Sequence, residues 1–274
     1  MMCALYRVTR GGFYAWQSRQ PSERTNQDAR LTERIRQVHQ QSRGNYGSPR
    51  VARQLRCEGV SVGRRRVARL MRSAQLQGRS ARQYHRSMVR QRAFFASVPN
   101  QQRTQVVLAP NQVWVGDVTY LKIARQWRYL AVVMDRYSRR ILGWSVSRRR
   151  DAALTCTALR LSVRNRQPGP RLMFHSDRGI EYAAFEYRDE LARLGILQSM
   201  NRPGKMNDNA HMESFFHSMK AEDLHGRRFD DDDQLRQAIR GYIAFYNQQR
   251  LHSALRYLPP AIFERQQDLT TCVN

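Results

Sequence analysis

Residues 113–120 read Val-Trp-Val-Gly-Asp-Val-Thr-Tyr, a run of β-branched and aromatic residues that is typical of a strand. Two similar runs follow at 128–135 and 141–146, and residues 137–140 form the predicted turn between them. Asp117 stands in the middle of the first run among apolar residues, where an isolated carboxylate is costly unless it binds a metal or a charged partner. This stretch therefore predicts three consecutive strands, the first of which carries a carboxylate in need of a partner.

The sequence beyond these strands alternates between helical and extended patterns. Helices are predicted at 151–163, 185–194, 208–223 and 234–249, and short strands at 172–174 and 195–197. Three strands, helix, strand, helix, strand, helix is the element order of a ribonuclease H-like fold. We therefore expect an α/β core with a mixed five-stranded sheet, preceded by a small all-α module.

That preceding module contains three predicted helices. The first, at 28–41, has one apolar face, Ser48 and Pro49 occupy the N-cap and first position of the second, and Ser61 is expected to cap the third. The inward-facing residues are predicted to be Leu31, Ile35, Val38, Val51, Ala52, Leu55, Val62, Val67, Leu70 and Met71. A helix, a glycine-containing turn and a basic helix form a helix-turn-helix pattern over residues 28–73.

The basic residues of the third helix are the candidate DNA contacts of this module. They are Arg64, Arg65, Arg66 and Arg69. An ordinary helical hairpin with a solvated arginine face would have the same sequence pattern, and this alternative stays open.

Charge points to nucleic acid as the partner. The 48 Lys and Arg against 22 Asp and Glu give a net charge of +26, and residues 1–100 alone hold 21 Arg and four acidic residues. Such an excess repels itself unless a polyanion neutralises it. Because 45 of the 48 basic residues are arginine, part of the excess reflects a compositional bias.

Several classes of protein are disfavoured by the sequence. Residues 129–134 are the longest apolar stretch near the middle of the chain, far short of the ~20 residues of a spanning helix. The N-terminus has no signal-peptide pattern, and the four cysteines form no pair or zinc motif. We expect no membrane association and a cytoplasmic protein. The expected division is a basic helical module at 1–78, a basic linker at 79–106, the ribonuclease H-like core at 107–265 and a tail at 266–274.

Three carboxylates are the candidate catalytic residues. Asp117 lies in the first strand, Asp177 follows a short strand, and Glu213 lies on a predicted helix. Each alone would fit a helix cap or a solvated ion pair, but two strand carboxylates and one helix carboxylate can converge on hard cations such as Mg²⁺. There are 59 residues between the aspartates and 35 between Asp177 and Glu213.

The chain resembles the second-frame transposases of the insertion-sequence-three family of bacterial insertion sequences, relatives of retroviral integrases. The resemblance covers most of the chain and rests on Tyr46-Gly47-Ser48-Pro49-Arg50, Arg66-Val67-Ala68-Arg69-Leu70-Met71, Asn111-Gln112-Val113-Trp114, Ser176-Asp177-Arg178-Gly179, Asp208-Asn209-Ala210 with Glu213-Ser214-Phe215-Phe216, and Tyr246-Asn247 with His252-Ser253. It implies Mg²⁺-dependent cleavage of DNA 3′ ends and strand transfer, with Mn²⁺ as a substitute. It also implies that residues 107–265 are the catalytic core of a nucleoid-associated bacterial protein.

The resemblance also implies roles for individual residues. Asp117, Asp177 and Glu213 match the catalytic metal ligands, and Lys220 matches a basic residue that contacts element-end DNA, although a plain surface lysine would look the same. Asp135 is excluded from the triad by its spacing to Glu213. His175 and His211 flank the triad, and we expect them to orient carboxylates rather than touch substrate.

Some features depart from the family pattern. Met206-Asn207 stands where an aromatic residue is frequent, and Gly116 stands where a polar residue is commoner. The helix-turn-helix and leucine zipper of the first reading frame are absent from the chain, and the family's active enzyme is usually a fusion of both frames. The expected partners are therefore the element's terminal repeats, target DNA, further copies of the chain and the first-frame product.

Two other functions stay open at this point. A structure-specific nuclease would use the same fold and the same carboxylates, and a non-catalytic DNA-binding regulator or decayed remnant would keep the basic module. The helix-turn-helix favours the transposase over the nuclease, and the intact triad disfavours decay.

Overall fold

The computed structural model describes residues 9–18, 20, 22–78, 99–103, 105–123, 126–202 and 209–271. The chain divides into two compact units, residues 1–79 and 80–274, which are described separately below. Most of the predicted linker, at 79–98 and 104, lies outside the described residues, as do Met206 and Asn207.

The first unit is helical. Its helices are α1 (Arg10–Gln17), α2 (Glu23–Gln41), α3 (Ser48–Cys57) and α4 (Arg64–Ser73). All ten residues predicted to face inward from 31 to 71 are buried. The hydrophobic periodicity therefore identified the core of this unit correctly, because each helix buries one apolar stripe against the others.

The helix starts differ from the predicted ones. Helix α2 begins five residues earlier than expected because Ser22 Oγ accepts a hydrogen bond from the Thr25 amide at 3.2 Å. Gly47, and not Ser48, is the N-cap of α3. The prediction that Ser61 caps α4 is wrong: the chain stays extended past the buried Val62, and α4 begins only after Gly63.

The second unit is built on a mixed five-stranded sheet, as predicted. Its strands are β1 (Val113–Ile123), β2 (Gln126–Asp135), β3 (Ile141–Ser147), β4 (Met173–Ser176) and β5 (Leu197–Met200). The strand order is β3-β2-β1-β4-β5. The first three strands are antiparallel, whereas β4 and β5 run parallel to β1. Strands β4 and β5 begin later than predicted, and β4 ends at Ser176, directly before Asp177.

Six α-helices, a π-helical turn and two short 3-10 helices (Gln101–Arg103 and Ser253–Leu255) accompany the sheet in the described part of this unit; the bounds of the first seven follow. Their bounds are α5 (Ala152–Arg166), α6 (Ile180–Ala183), α7 (Phe185–Arg193), α8 (Ala210–Met219), a π-helical turn (Lys220–Leu224), α9 (Asp232–Gln248) and α10 (Pro260–Thr271). Neither the short α6 nor α10 was predicted, and α10 continues across the predicted core boundary at residue 265.

The core of this unit lies between the sheet and helices α5 to α7. It includes Trp114, Leu159, Phe174, Tyr182 and Tyr187, all of which are almost fully buried. Among the described residues, the helices are too short or too polar for any of them to cross a membrane. This core holds β1 and β4 side by side, and these two strands carry the candidate aspartates.

Candidate active site

The parallel pairing of β1 with β4 brings Asp117 and Asp177 together. Gly116 is the register partner of Ser176. Asp117 and Asp177 directly follow these two residues, so they lie side by side. Asp117 Oδ1 accepts a hydrogen bond from the Val118 amide at 2.7 Å, and Asp177 Oδ1 accepts one from the Gly179 amide at 3.0 Å. Both side chains are half-buried at the carboxyl end of β4, the edge at which sites form in α/β sheets.

The two carboxylates are mutually repulsive. Burial, and then the charge of Asp177, raise the pKa of Asp117 well above its usual range. Burial also raises the pKa of Asp177. Two partly buried carboxylates lie close together here, and the positive charge nearby does not compensate both. Their oxygens are therefore a donor set that fits a hard divalent cation.

An ion pair that the sequence did not suggest lies next to these aspartates. Arg150 Nη2 is 2.8 Å from Glu181 Oε1, and the Glu181 side chain is fully buried. The positive charge of Arg150 favours the ionised forms of Asp117 and Asp177, whereas Glu181 disfavours them. Arg150 precedes α5 and Glu181 lies in α6, so no local spacing relates the two residues.

Glu213 lies in the first turn of α8, and its side chain is exposed. Its helix is connected to β1 on both sides of this residue. Asn209, the N-cap of α8, donates from Nδ2 to the Gly116 carbonyl at 3.0 Å, and Lys220 Nζ donates to Thr119 Oγ1 at 2.7 Å. The anchoring role of Asn209 was not anticipated from the sequence, although it lies in the Asp-Asn-Ala motif.

The structure brings together two of the three predicted ligands. Within the described ranges, no three His, Cys, Asp or Glu side chains are close enough to share a metal ion. Asp117 and Asp177 are neighbours, and Glu213 stands apart from them on α8. Residues 203–208, which directly precede this helix, lie outside the described residues.

Lys220 is half-buried beside the aspartates. Its ammonium group lies 4.7 Å from the centre of the Tyr120 ring as well as against Thr119. Burial lowers the pKa of Lys220, and the nearby Asp117 partly offsets this effect. Lys220 is therefore more than a freely solvated surface lysine.

Packing explains why glycine stands at position 116, where a polar residue is commoner in the family. A Cβ atom at this position would lie 2.9 Å from Phe174 Cε1 and 3.3 Å from the Tyr182 hydroxyl, and closer still to Phe174 Cζ. Since these rings belong to the buried core, any side chain before Asp117 would have to displace them.

Neither flanking histidine makes the carboxylate contact that we expected among its described hydrogen bonds. His175 is buried, with Nδ1 2.9 Å from Ser199 Oγ and Nε2 2.7 Å from Asn201 Oδ1, so it joins β4 to β5. Burial lowers the pKa of His211 to about 4, and the charges of Arg139 and Arg136 act in the same direction.

Asp135 has a structural role, in agreement with its exclusion from the triad. It is fully buried at the end of β2. Its carboxylate accepts hydrogen bonds from the backbone amides of Asn111 at 2.7 Å and Ser138 at 2.9 Å. The bond from Ser138 stabilises the turn between β2 and β3, and the bond from Asn111 attaches the segment before β1 to the end of β2.

The four candidate arginines of α4 differ from one another. Arg64 and Arg65 are exposed. In contrast, Arg66 and Arg69 both bind the Asp28 carboxylate, at 2.7 and 2.6 Å. The sequence pattern treated the four as equivalent, but two of them hold α4 against α2.

Comparison with known proteins identifies both units. The Integrase core domain model matches residues 108–206, a second Integrase core domain model matches 194–260, and an HTH-like domain model matches 26–84. The transposase InsF of insertion sequence IS3A from Escherichia coli is 36% identical over 270 residues, which cover 97% of this chain and 93% of the relative. The chain belongs to the IS3 family of transposases.

A second insertion-element relative agrees with this IS3-family assignment. An uncharacterized 31 kDa protein of insertion element IS600 from Shigella sonnei is 38% identical over 97% of this chain and 98% of its own length. Among solved structures, the HTLV-2 integrase catalytic core domain in complex with magnesium is 19% identical. That alignment covers 53% of this chain and 92% of the integrase domain, with a TM-score of 0.42. The family models and the InsF relative show that the transposase is a polynucleotidyl transferase with an integrase core and an HTH-like helical domain, and its family implies DNA as the partner.

Proposed function

We propose that this transposase cleaves the 3′ ends of its insertion sequence and joins them to target DNA, with Asp117, Asp177 and Glu213 as the catalytic carboxylates. The observation that carries the proposal is that Asp117 and Asp177 lie side by side, each directly after a paired residue of the parallel strands β1 and β4. Glu213 supplies the third carboxylate from a helix that hydrogen bonds attach to β1 on both sides of it.

The donor set fits Mg²⁺, with Mn²⁺ as a substitute, because both prefer oxygen ligands. When bound, two such ions supply the positive charge that stabilises the attacking and leaving oxygens of an in-line displacement. Asp117 and Asp177 would hold the cations, and the positive charge of Arg150 would partly offset the repulsion between the two carboxylates. Water as the nucleophile gives cleavage, and a DNA 3′-hydroxyl gives strand transfer.

We assign DNA binding to residues of both units. Lys220 lies beside Asp117 and would contact the reacting end of the element, while Arg64 and Arg65 of α4 would contact phosphates. Arg66 and Arg69 would contribute to DNA binding mainly by holding α4 in place. We assign residues 1–78 to DNA recognition and 107–265 to catalysis, and we expect the transposase to act on DNA as a homo-oligomer, together with the first-frame product or fused to it.

Isosteric substitutions test the catalytic assignment. Asp117→Asn, Asp177→Asn and Glu213→Gln should each abolish Mg²⁺-dependent joining of a duplex that carries the element's terminal repeat, while binding of that duplex survives. Asp135→Asn is the control, because it should alter stability without removing a catalytic group. Robust joining by Asp177→Asn would refute the assignment.

Cleavage without joining in the wild type would favour the nuclease, and binding without either reaction would favour a regulator.

A further inference from the structure

A small pocket lies between the β1–β2 hairpin and the segment that follows the π-helical turn. Its volume is about 290 Å³, near the small end of the range for ligand sites. The residues of its lining that matter here are aromatic or basic: Tyr120, Lys122, Trp127, Lys220, Arg227 and Phe229. No acidic side chain is among the described residues that line it.

Two aromatic rings of this pocket are unusually exposed. Tyr120 is 44% exposed and Trp127 is 49% exposed, although each ring belongs to a strand of the central sheet. Their ring centres are 5.3 Å apart in an edge-to-face arrangement. Cross-strand aromatic pairs can stabilise a hairpin, but a purely structural pair gains most by burying its faces. Here about half of each side chain remains available to a ligand.

Positive charge surrounds these rings. Lys220 Nζ lies 4.7 Å from the centre of the Tyr120 ring, and Lys122 Nζ lies 5.8 Å from that of Trp127. Arg227 is committed in part to an ion pair with Asp223, so the two lysines are the main charges. An aromatic surface bordered by cations is the chemistry that proteins use to hold unpaired bases and the phosphates between them.

The pocket adjoins the candidate active site. Lys220 contacts both Tyr120 in the pocket and Thr119, which is two residues from Asp117 along β1. Tyr120 is three residues from Asp117 along β1, roughly 10 Å at ~3.3 Å per residue, so the pocket lies close to a phosphate held at Asp117 and Asp177. Stacked bases within a duplex do not offer their faces, whereas a nucleotide released from the end of the duplex does.

We propose that the pocket formed by Tyr120, Trp127, Lys122 and Lys220 binds an unpaired nucleobase of the DNA end on which the transposase acts. The inference rests on the proposed function. Tyr120 and Trp127 stack on the base, and the two lysines bind the flanking phosphates. The pocket thereby favours DNA ends that have lost their terminal base pairs, and it holds the opened strand beside Asp117.

Two duplexes with the same charge test this proposal. Both carry the element's terminal repeat and end in two unpaired nucleotides, which bear bases in one duplex and are abasic tetrahydrofuran residues in the other. The full-length transposase should bind the first about tenfold more tightly, because base–aromatic stacking stabilises only that complex. Tyr120→Ala and Trp127→Ala should bring this ratio close to one, and Trp127→Phe should preserve most of it.

The controls separate stacking from unfolding and from loss of charge. Trp16→Ala removes a tryptophan that is 68% exposed on α1, and it should leave the ratio unchanged. Unfolding midpoints of the Tyr120 and Trp127 variants should stay near the wild-type value, because both side chains are half-exposed. A wild-type ratio near one, or a ratio that survives both alanine changes, would overturn the proposal. Joining of the fully paired repeat is measured in parallel, so that failure of the proposed function is recognised independently.

Discussion

At the scale of single residues, Asp28 affects how available two of the arginines of α4 are to a phosphate. It accepts hydrogen bonds from Arg66 at 2.7 Å and from Arg69 at 2.6 Å. These hydrogen bonds, that of Arg69 first, lower the pKa of the Asp28 carboxyl. An arginine that is bound to a carboxylate in this way is less available to a phosphate than an exposed one such as Arg64.

We therefore expect two double variants of α4 to behave differently. Arg64→Gln with Arg65→Gln should lower the salt slope of DNA binding by about two, because each of these arginines would neutralise one phosphate, and leave the unfolding midpoint unchanged. Arg66→Gln with Arg69→Gln should lower the unfolding midpoint, because Asp28 loses both partners. Binding titrations at several salt concentrations and thermal unfolding measure the two effects. An unchanged slope in the first variant would mean that this face of α4 does not contact DNA.

Glu190 gives the second unit a defined acid sensitivity. Arg160 binds its carboxylate through two hydrogen bonds, at 3.0 and 2.8 Å, and Arg193 adds a third. Chiefly through the hydrogen bonds from Arg160, the pKa of Glu190 is lowered to about 2 from an ordinary value of 4.5. A lowered pKa in the folded state means that the ionised carboxylate stabilises the fold above the ordinary value, and that this contribution is lost as the pH falls towards 2.

Glu190→Gln should accordingly flatten the pH dependence of stability between about pH 4.5 and 2, the window set by these two values. The measurement is the urea midpoint of the wild type and of the variant at several pH values. Glu186→Gln, which changes an exposed residue of the same helix α7, is the matched control. Parallel pH profiles for wild type and Glu190→Gln would contradict the assigned pKa shift.

At the scale of elements, the close contact of α5 with β3 depends on Gly143. A Cβ atom there would lie 2.5 Å from the Ala158 carbonyl oxygen and 2.8 Å from the Ser162 amide nitrogen. Both are backbone atoms of a helix, which cannot move aside without shifting the whole element. The absence of a side chain at this position therefore sets the distance between the helix and the sheet.

Gly143→Ala should destabilise the transposase by about 1–3 kcal/mol, the usual cost of overpacking a core. Gly169→Ala is the control, because nothing lies within 4 Å of the Cβ that it would introduce. Urea unfolding of both variants measures the difference. Equal stabilities would show that α5 moves away from β3 without cost.

At the scale of the whole molecule, metal binding and folding should be separable. The core beneath β1 and β4 is apolar, and the two aspartates at its edge repel each other. Mg²⁺ that binds only the folded state would add stability by mass action. The fold itself does not need the metal, since its core is formed by apolar side chains.

Chelation of divalent cations should stop joining and leave the transposase folded, with Mn²⁺ or Mg²⁺ restoring the reaction. Added Mg²⁺ should raise the unfolding temperature of the wild type but not that of Asp177→Asn. In the absence of metal, Asp177→Asn should be at least as stable as the wild type, because one repelling charge is gone. Circular dichroism and calorimetry test these statements, and loss of the fold on chelation would refute the separation.

The sequence by itself determined the five strands, most of the helices, their order and the residues of the family motifs. Local periodicity identified every strand and the buried face of each helix from Leu31 to Met71, because alternation and helical spacing depend on near neighbours alone. Asp117, Asp177 and Glu213 were candidates from their positions on two strands and a helix, and the resemblance gave them their roles. Helix starts were less accurate: α2 begins five residues before its predicted start, at the Ser22 cap, and Gly47 and Gly63 precede α3 and α4 without a side-chain cap.

Only the tertiary structure decided which distant residues meet. The Arg150–Glu181 pair, the hydrogen bond from Asn209 to Gly116 and the Tyr120–Trp127 pocket join positions from different elements, and no local spacing encodes them. The same is true of Asp28, which pairs with two of four similar arginines. The physical reason is that a side chain's neighbours across the fold are fixed by sheet register and helix packing, which form only when all the elements pack together.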